Sequence, residues 1–204
     1  VRAHAKLFLA SSNPGKLAEF RALASSSAFS YPVELALLPD FDALPVFEEN
    51  APTFAENAAG KALHYSRHRE GLVFADDSGL VVPALGGAPG VHSARYAGEQ
   101  ATNSQRIEKL LGEMRGKTGS ERHAHFVCAI ALAEGGRAMA IVTDRVDGEI
   151  LEEPRGSGGF GYDPVFYFPA LRRTFAEISA EEKNQHSHRG KAFRRLLAAL
   201  SSML

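Results

Sequence analysis

Two adjacent carboxylates, Asp76 and Asp77, follow the apolar run Leu72-Val73-Phe74-Ala75. A buried strand that delivers acids at its carboxyl end presents them where open α/β sheets bind ligands. Side chains alternate faces along an extended chain, so one of the two is expected to point into a site. One or two carboxylates completed by phosphate oxygens suit a hard cation such as Mg2+. An Asp-Ser-Gly turn, with Asp77 bonding nearby amides, explains the same letters without chemistry. Glu48 and Glu49 form a second acid pair just ahead of a helix. They could direct a second ligand to a metal or simply face the positive helix end from solvent.

Three further segments carry donors. Ser11-Ser12-Asn13-Pro14-Gly15-Lys16 joins a strand to a helix. There, unpaired amides, two hydroxyls and one lysine could hold an anion. The spacing is not that of a Walker A loop, and capping alone would also account for it. Lys183-Asn184-Gln185-His186-Ser187-His188-Arg189 mixes donors that could read a polar ring edge or a phosphate, or could simply accompany a helix junction. Ser157-Gly158-Gly159-Phe160-Gly161-Tyr162-Asp163-Pro164 reads poorly as a core strand, because its glycines weaken pairing. As a linker it would leave two aromatics in water. It fits a pocket wall, where glycines admit close approach, an aromatic face stacks on a flat ring, and Asp163 accepts from a ring N–H. The pairs His64/His68 and His123/His125 are expected on an exposed helix face and along a strand, since neither brings the acid of an HExxH site.

Local signals place these segments. Lys6–Ala10 reads as a strand, and Asn13-Pro14 as cap and first turn of a helix with Leu17, Phe20, Leu23 and Ala24 inward. A strand is expected near Val33–Leu38. Thr53-x-x-Glu56 opens a second helix with a capping box, burying Phe54, Ala58, Ala62 and Tyr65. The strand at Leu72–Ala75 should end in Asp76-Asp77-Ser78-Gly79, with Leu80–Val82 extended beyond it and a turn at Gly86-Gly87. Thr102-x-x-Gln105 starts a third helix. His123–Ala133 and Arg137–Val146 read as a hairpin about Glu134-Gly135-Gly136, which Gly148–Leu151 could extend. Ser179-x-x-Glu182 caps a short helix, and an amphipathic one runs from Gly190 onward. Strand–helix alternation followed by a hairpin predicts an α/β fold with a mixed sheet.

The 204 residues suffice for one large domain, and the formal charge of −1 offers no basic footprint for a nucleic-acid polymer. No apolar stretch has the length of a membrane span. The opening VRAHAKLFLA is too short in its apolar part for a leader peptide. A single cysteine, Cys128, in an apolar run suits a buried thiol and a reducing compartment. The expectation is a cytoplasmic protein.

Five segments in order, LASSNPGK at 9–16, EEN..TFAENA at 48–58, ADDSGLVVPALGGAPGVHSARYAG at 75–98, GGFGYDPVF at 158–166 and TFAEISAEEKNQHSHRGKA at 174–192, give the chain a family likeness. It resembles the inosine/xanthosine triphosphate pyrophosphatases, which remove non-standard purine nucleotides. The resemblance implies one domain over residues 1–204, a mixed sheet flanked by helices with two lobes about a deep cleft, and a homodimer. It implies that Ser11 to Lys16 bind phosphate, that Asp77 is proton acceptor and Mg2+ ligand, and that Glu48 is the second ligand. It makes Ser78, Lys61, Lys183, His188 and Arg189 substrate contacts, and Phe160, Gly161, Tyr162 and Asp163 the base-binding loop. The implied reaction releases pyrophosphate from ITP, dITP or XTP through water attack at the α-phosphorus. Donors at His188 and Arg189 would favour a 6-oxo purine. In this chain Asn50-Ala51-Pro52 replaces the commoner Thr-Gly plus one residue before TF. A nucleotide sensor without hydrolysis, or an enzyme for modified pyrimidine nucleotides, would use the same residue types.

Overall fold

The computed structural model describes residues 5–26 and 33–203. Residues 1–4, part of the stretch weighed above as a leader, lie outside them. In chain order the regular elements are β1 (Ala5–Leu9), α1 (Pro14–Ser26), β2 (Val33–Leu37), α2 (Phe54–Ser66), β3 (Leu72–Val81) and α3 (Asn103–Glu113). They continue with β4 (His123–Glu134), β5 (Arg137–Ile150), β6 (Phe166–Phe168), β7 (Arg173–Thr174), α4 (Ala180–His186) and α5 (His188–Ser201). The strands form one sheet in the order β2-β1-β3-β4-β5-β6-β7. It is mixed: β1 runs parallel to β2 and β3, while β6 runs antiparallel to β5 and β7. The expected α/β class is what is found.

Two compact units divide the chain. The first comprises residues up to Asp77, Cys128–Asp144 and the chain from Arg189 onward; the second comprises Ser78–Val127 and Arg145–His188. Within the first, strand alternation builds two cores. Leu7, Leu9, Phe74 and Ile130 pack with Phe20 and Leu23 of α1 and Phe193 and Leu196 of α5. The intervening Phe8, Ala10, Val73 and Ala75 pack instead with Ala58, Ala62 and Tyr65 of α2. Strands covered on both faces need such continuous apolar runs. Cys128 lies in the first core at 0% exposure, and burial pushes its thiol pKa far upward. The second unit packs Ile107, Leu110 and Met114 against Phe126, Val146, Phe166 and Phe175. Arg122 ties it together, donating to the carbonyls of Ile150 (2.6 Å), Leu151 (2.7 Å) and Lys117 (3.1 Å). No helix among the described residues is long and apolar enough to cross a membrane.

Three local expectations change. β3 does not end at Asp76 but runs through Asp76-Asp77-Ser78-Gly79 to Val81, so the Asp-Ser-Gly turn does not form. Gly79 sits inside a strand because a Cβ there would lie 2.4 Å from Ser93 Oγ and 2.6 Å from the Gly90 carbonyl oxygen. At Thr53 the box is half made. Its hydroxyl accepts from Glu56 N–H and donates to the Glu56 carboxylate, which therefore does not return to the Thr53 amide. The boxes at Thr102/Gln105 and Ser179/Glu182 are complete. His64 is half-buried rather than exposed, with Nε2 2.7 Å from the Pro45 carbonyl oxygen.

Candidate active site

In the first unit, β1 stops at Leu9 while β3 continues, which leaves Asp76 and Asp77 beyond the β1–β3 pairing at Leu9↔Phe74. The Ser11–Lys16 turn follows β1. Ser11 Oγ accepts from Asn13 N–H (3.0 Å), and Asn13 Oδ1 accepts from the amides of Gly15 (2.8 Å) and Lys16 (3.2 Å). Capping thus accounts for these amides, while Ser12, Asn13, Pro14 and Gly15 stay exposed. Capping does not account for the Lys16 side chain, whose Nζ donates to Asp76 Oδ1 at 2.9 Å.

The two acids separate as alternation demands. Asp76 has the parity of Phe74 and meets the α1/α5 side, accepting from Lys16 and, at 3.3 Å, from Arg189 Nη2. Arg189 Nη1 donates to Glu19 at 2.7 Å. Burial alone would raise the Asp76 pKa, but Lys16, Arg189 and Lys61 outweigh it and hold the carboxyl well below the usual range. Asp77 has the parity of Val73 and Ala75 and meets α2, where its Oδ2 accepts from Asn57 Nδ2 at 2.9 Å. Burial first, then the charges of Glu49 and Asp76, push its pKa up to about 6, against the pull of Asn57 and Lys61. Lys61 is ion-paired with Glu49, and Glu49, Asp76 and Asp77 together raise its pKa against the effect of burial.

Of the two loop acids, Glu49 is the one whose charge acts on Asp77. Glu48 is exposed and accepts from Asn50 Nδ2 at 2.9 Å. Among the described residues no group of three His, Cys, Asp or Glu forms a ready-made metal centre. The donor set still fits a hard cation. Asp77 and Glu49 supply carboxylate oxygens, and burial together with the charges of Glu49 and Asp76 disfavours the ionised Asp77, a form that a divalent ion would favour.

The glycine-rich loop belongs to the second unit. Gly159 has φ +69°, and a Cβ there would fall 2.1 Å from Asp163 Oδ2. That oxygen closes the loop on itself, accepting from Phe160 N–H (2.7 Å) and from Lys183 Nζ (2.5 Å). Lys183 comes from α4 and also lies 4.2 Å from the centroid of the Phe160 ring. A buried ammonium thus steadies one aromatic ring whose side chain is otherwise 53% exposed. Tyr162 is buried, its hydroxyl donating to the Ser93 carbonyl at 2.9 Å, so it fastens the loop to the 3-10 turn Gly90–Arg95. Gly161, with φ +61°, separates Phe160 from Tyr162. His188 is buried and stacks on Phe126 at 4.8 Å. Ser78, half-buried, follows Asp77 directly.

Sequence reasoning passed over Asn57, Glu19 and the part played by Asp76. Only Asn57 left a signal, an amide among the alanines of α2.

The fold is thus a mixed α/β sheet whose first unit gathers cations around an acid pair and whose second unit holds an exposed aromatic beside a buried lysine. The chain belongs to the Ham1 family, whose sequence model matches residues 7–199. It is 51% identical to a dITP/XTP pyrophosphatase of Geobacillus kaustophilus over 191 residues, which cover 94% of this chain and 92% of that one. A dITP/XTP pyrophosphatase of Gloeobacter violaceus is 48% identical over 96% of this chain and 94% of its own. Among solved structures, a HAM1 protein from Coxiella burnetii superposes with a TM-score of 0.86 at 42% identity, covering 97% of this chain and 99% of that one.

Proposed function

We infer that this protein hydrolyses non-standard purine nucleoside triphosphates, dITP, ITP and XTP, to the monophosphate and pyrophosphate. The observation that carries the inference is the opposed treatment of two neighbouring acids. Asp76 is held ionised by Lys16 and Arg189, while Asp77 is raised to about 6. Environments that push paired carboxyls apart assign them different tasks. Asp77 is the base: ionised at neutral pH yet close enough to it to accept a proton, it takes one from the water that attacks the α-phosphorus. The new bond is water oxygen to α-phosphorus; the bond that breaks joins that phosphorus to the bridging oxygen, which leaves with pyrophosphate. Asp76 sets the direction of Lys16 and Arg189, and Lys16 with Lys61 neutralises the triphosphate. Asp77 with Glu49, or with Glu48 as the resemblance has it, would hold Mg2+, which when bound supplies further charge neutralisation at phosphate oxygens.

Phe160 stacks on the base. Lys183 and His188, grouped with it in the second unit, donate to a 6-oxo edge, which adenine's amine cannot accept. Arg189, engaged with Glu19 and Asp76, serves the charged end. The exposed turn at Ser11 to Gly15 contacts phosphate, and Ser78, Gly161, Tyr162 and Asp163 shape the ring site. The two units act as one domain, as a homodimer and on the cytoplasmic nucleotide pool. Pyrophosphate release from dITP, XTP, GTP and ATP, with Mg2+ and with chelator, tests the reading. Fast release from dITP and XTP only with the metal is expected. Equal kcat/KM for ATP and dITP, or binding without release, overturns it. Sedimentation checks the dimer.

A further inference from the structure

Asn57 stands in the first turn of α2, its N–H bonded to the Thr53 carbonyl at 3.1 Å. Asparagine is a poor helix former because its side chain competes for backbone groups. At 1% exposure this one has its carboxamide turned wholly to other elements. Oδ1 accepts the Ala51 N–H at 2.9 Å, while Nδ2 donates to Asp77 Oδ2 at 2.9 Å and to the Ala51 carbonyl at 3.4 Å. One end of the amide meets a donor and the other meets two acceptors, so a single orientation satisfies the network. The elements it joins are the loop carrying Glu48 and Glu49 and the strand carrying Asp77.

No other small side chain does this. Aspartate would lose the donor and add a negative charge beside a carboxyl already next to Glu49 and Asp76. Serine does not reach both partners, and alanine leaves the Ala51 amide and an Asp77 oxygen unpaired in a buried place. We propose that Asn57 is a positioning residue of the hydrolytic site, fixing the Asp77 carboxylate and the acidic loop as one piece. The role rests on the hydrolytic reading above. It differs from a purely structural role in its consequence: loosening the clamp misplaces the acids that work together, even where the fold survives.

Asn57→Ala and Asn57→Gln in the full chain test it. Pyrophosphate release from dITP is measured across Mg2+ concentrations, and Mn2+ binding without nucleotide is followed by electron paramagnetic resonance. Thermal melts give the folded fraction. Expected are losses of about 10- to 100-fold in both kcat and Mn2+ affinity, the usual effect of removing a group that orients a metal-binding carboxylate. KM for dITP should stay within about threefold, since nothing that grips the substrate is removed. Should the alanine variant not fold, Asn57→Gln keeps an amide one methylene too far out and is expected to show the same two losses. Folded variants with kcat and Mn2+ affinity within about threefold of wild type overturn the proposal. Wild-type protein that binds Mn2+ but releases no pyrophosphate overturns the hydrolytic reading instead, and the Mn2+ measurement still decides the role of Asn57 in holding the acids.

Discussion

Asp77 is held in a state that opposes folding. The folded protein keeps its carboxyl protonated up to about pH 6, whereas the unfolded chain releases the proton at an ordinary carboxylate value, near 3.8. Between those values the folded state binds more protons, so stability falls as pH rises through the window. At neutral pH the penalty is of order 1–3 kcal/mol. Asp77→Asn is therefore expected to lose about 10²–10⁴-fold in kcat and yet, in chelator, to melt higher than wild type at pH 7. The gap should close below pH 4. Thermal scans from pH 4 to 8 check the second half; a wild-type Tm no lower than the variant's at pH 7 would count against it. Phe160 behaves oppositely, since its exposed ring supports little of the fold. Phe160→Ala should leave Tm unchanged and raise KM for dITP and XTP, by the factor that ~1–3 kcal/mol of lost stacking implies. Steady-state kinetics on both substrates reads this directly.

At the scale of elements, the passage of β3 through its acids depends on one missing side chain. Gly79→Ala would drive a methyl into Ser93 Oγ and the Gly90 carbonyl, so about 1–3 kcal/mol of stability should be lost. Gly112, in α3 with open space around it, is the control. Gly112→Ala should gain about 0.5–1 kcal/mol. Urea unfolding of the pair separates crowding from helix propensity. The same strand shows where sequence reading stops. Its apolar start, the caps at Asn13, Thr102 and Ser179, and the alternation that sends Asp76 and Asp77 to different partners are local signals, visible in the letters. The reason for Gly79 lies in Ser93 and Gly90, which fold back from later in the chain. β7, two residues long, has no periodicity to detect. Which of Glu48 and Glu49 meets Asp77 depends on how a loop is tied down through Asn57, and loops carry no register of their own. The donor residues could be named from type alone, but the hold of Asp163 on Phe160 and Lys183 could not.

For the whole molecule, Cys128 has a practical consequence. It is the only thiol in the chain, lies at 0% exposure in the core shared by β4, α1 and α5, and is held as the unreactive neutral form. A thiol-specific dye therefore finds nothing to attack until that core opens. Labelling of the unmodified protein under native conditions should proceed at the rate of opening of the first unit, with one dye bound per chain at completion. Mass spectrometry over time measures it; rapid labelling at low temperature would show the core more open than its packing implies. The native chain is thus a built-in clock for its own unfolding, and a quiet background on which a cysteine placed beside Phe160 could carry a reporter of substrate arrival.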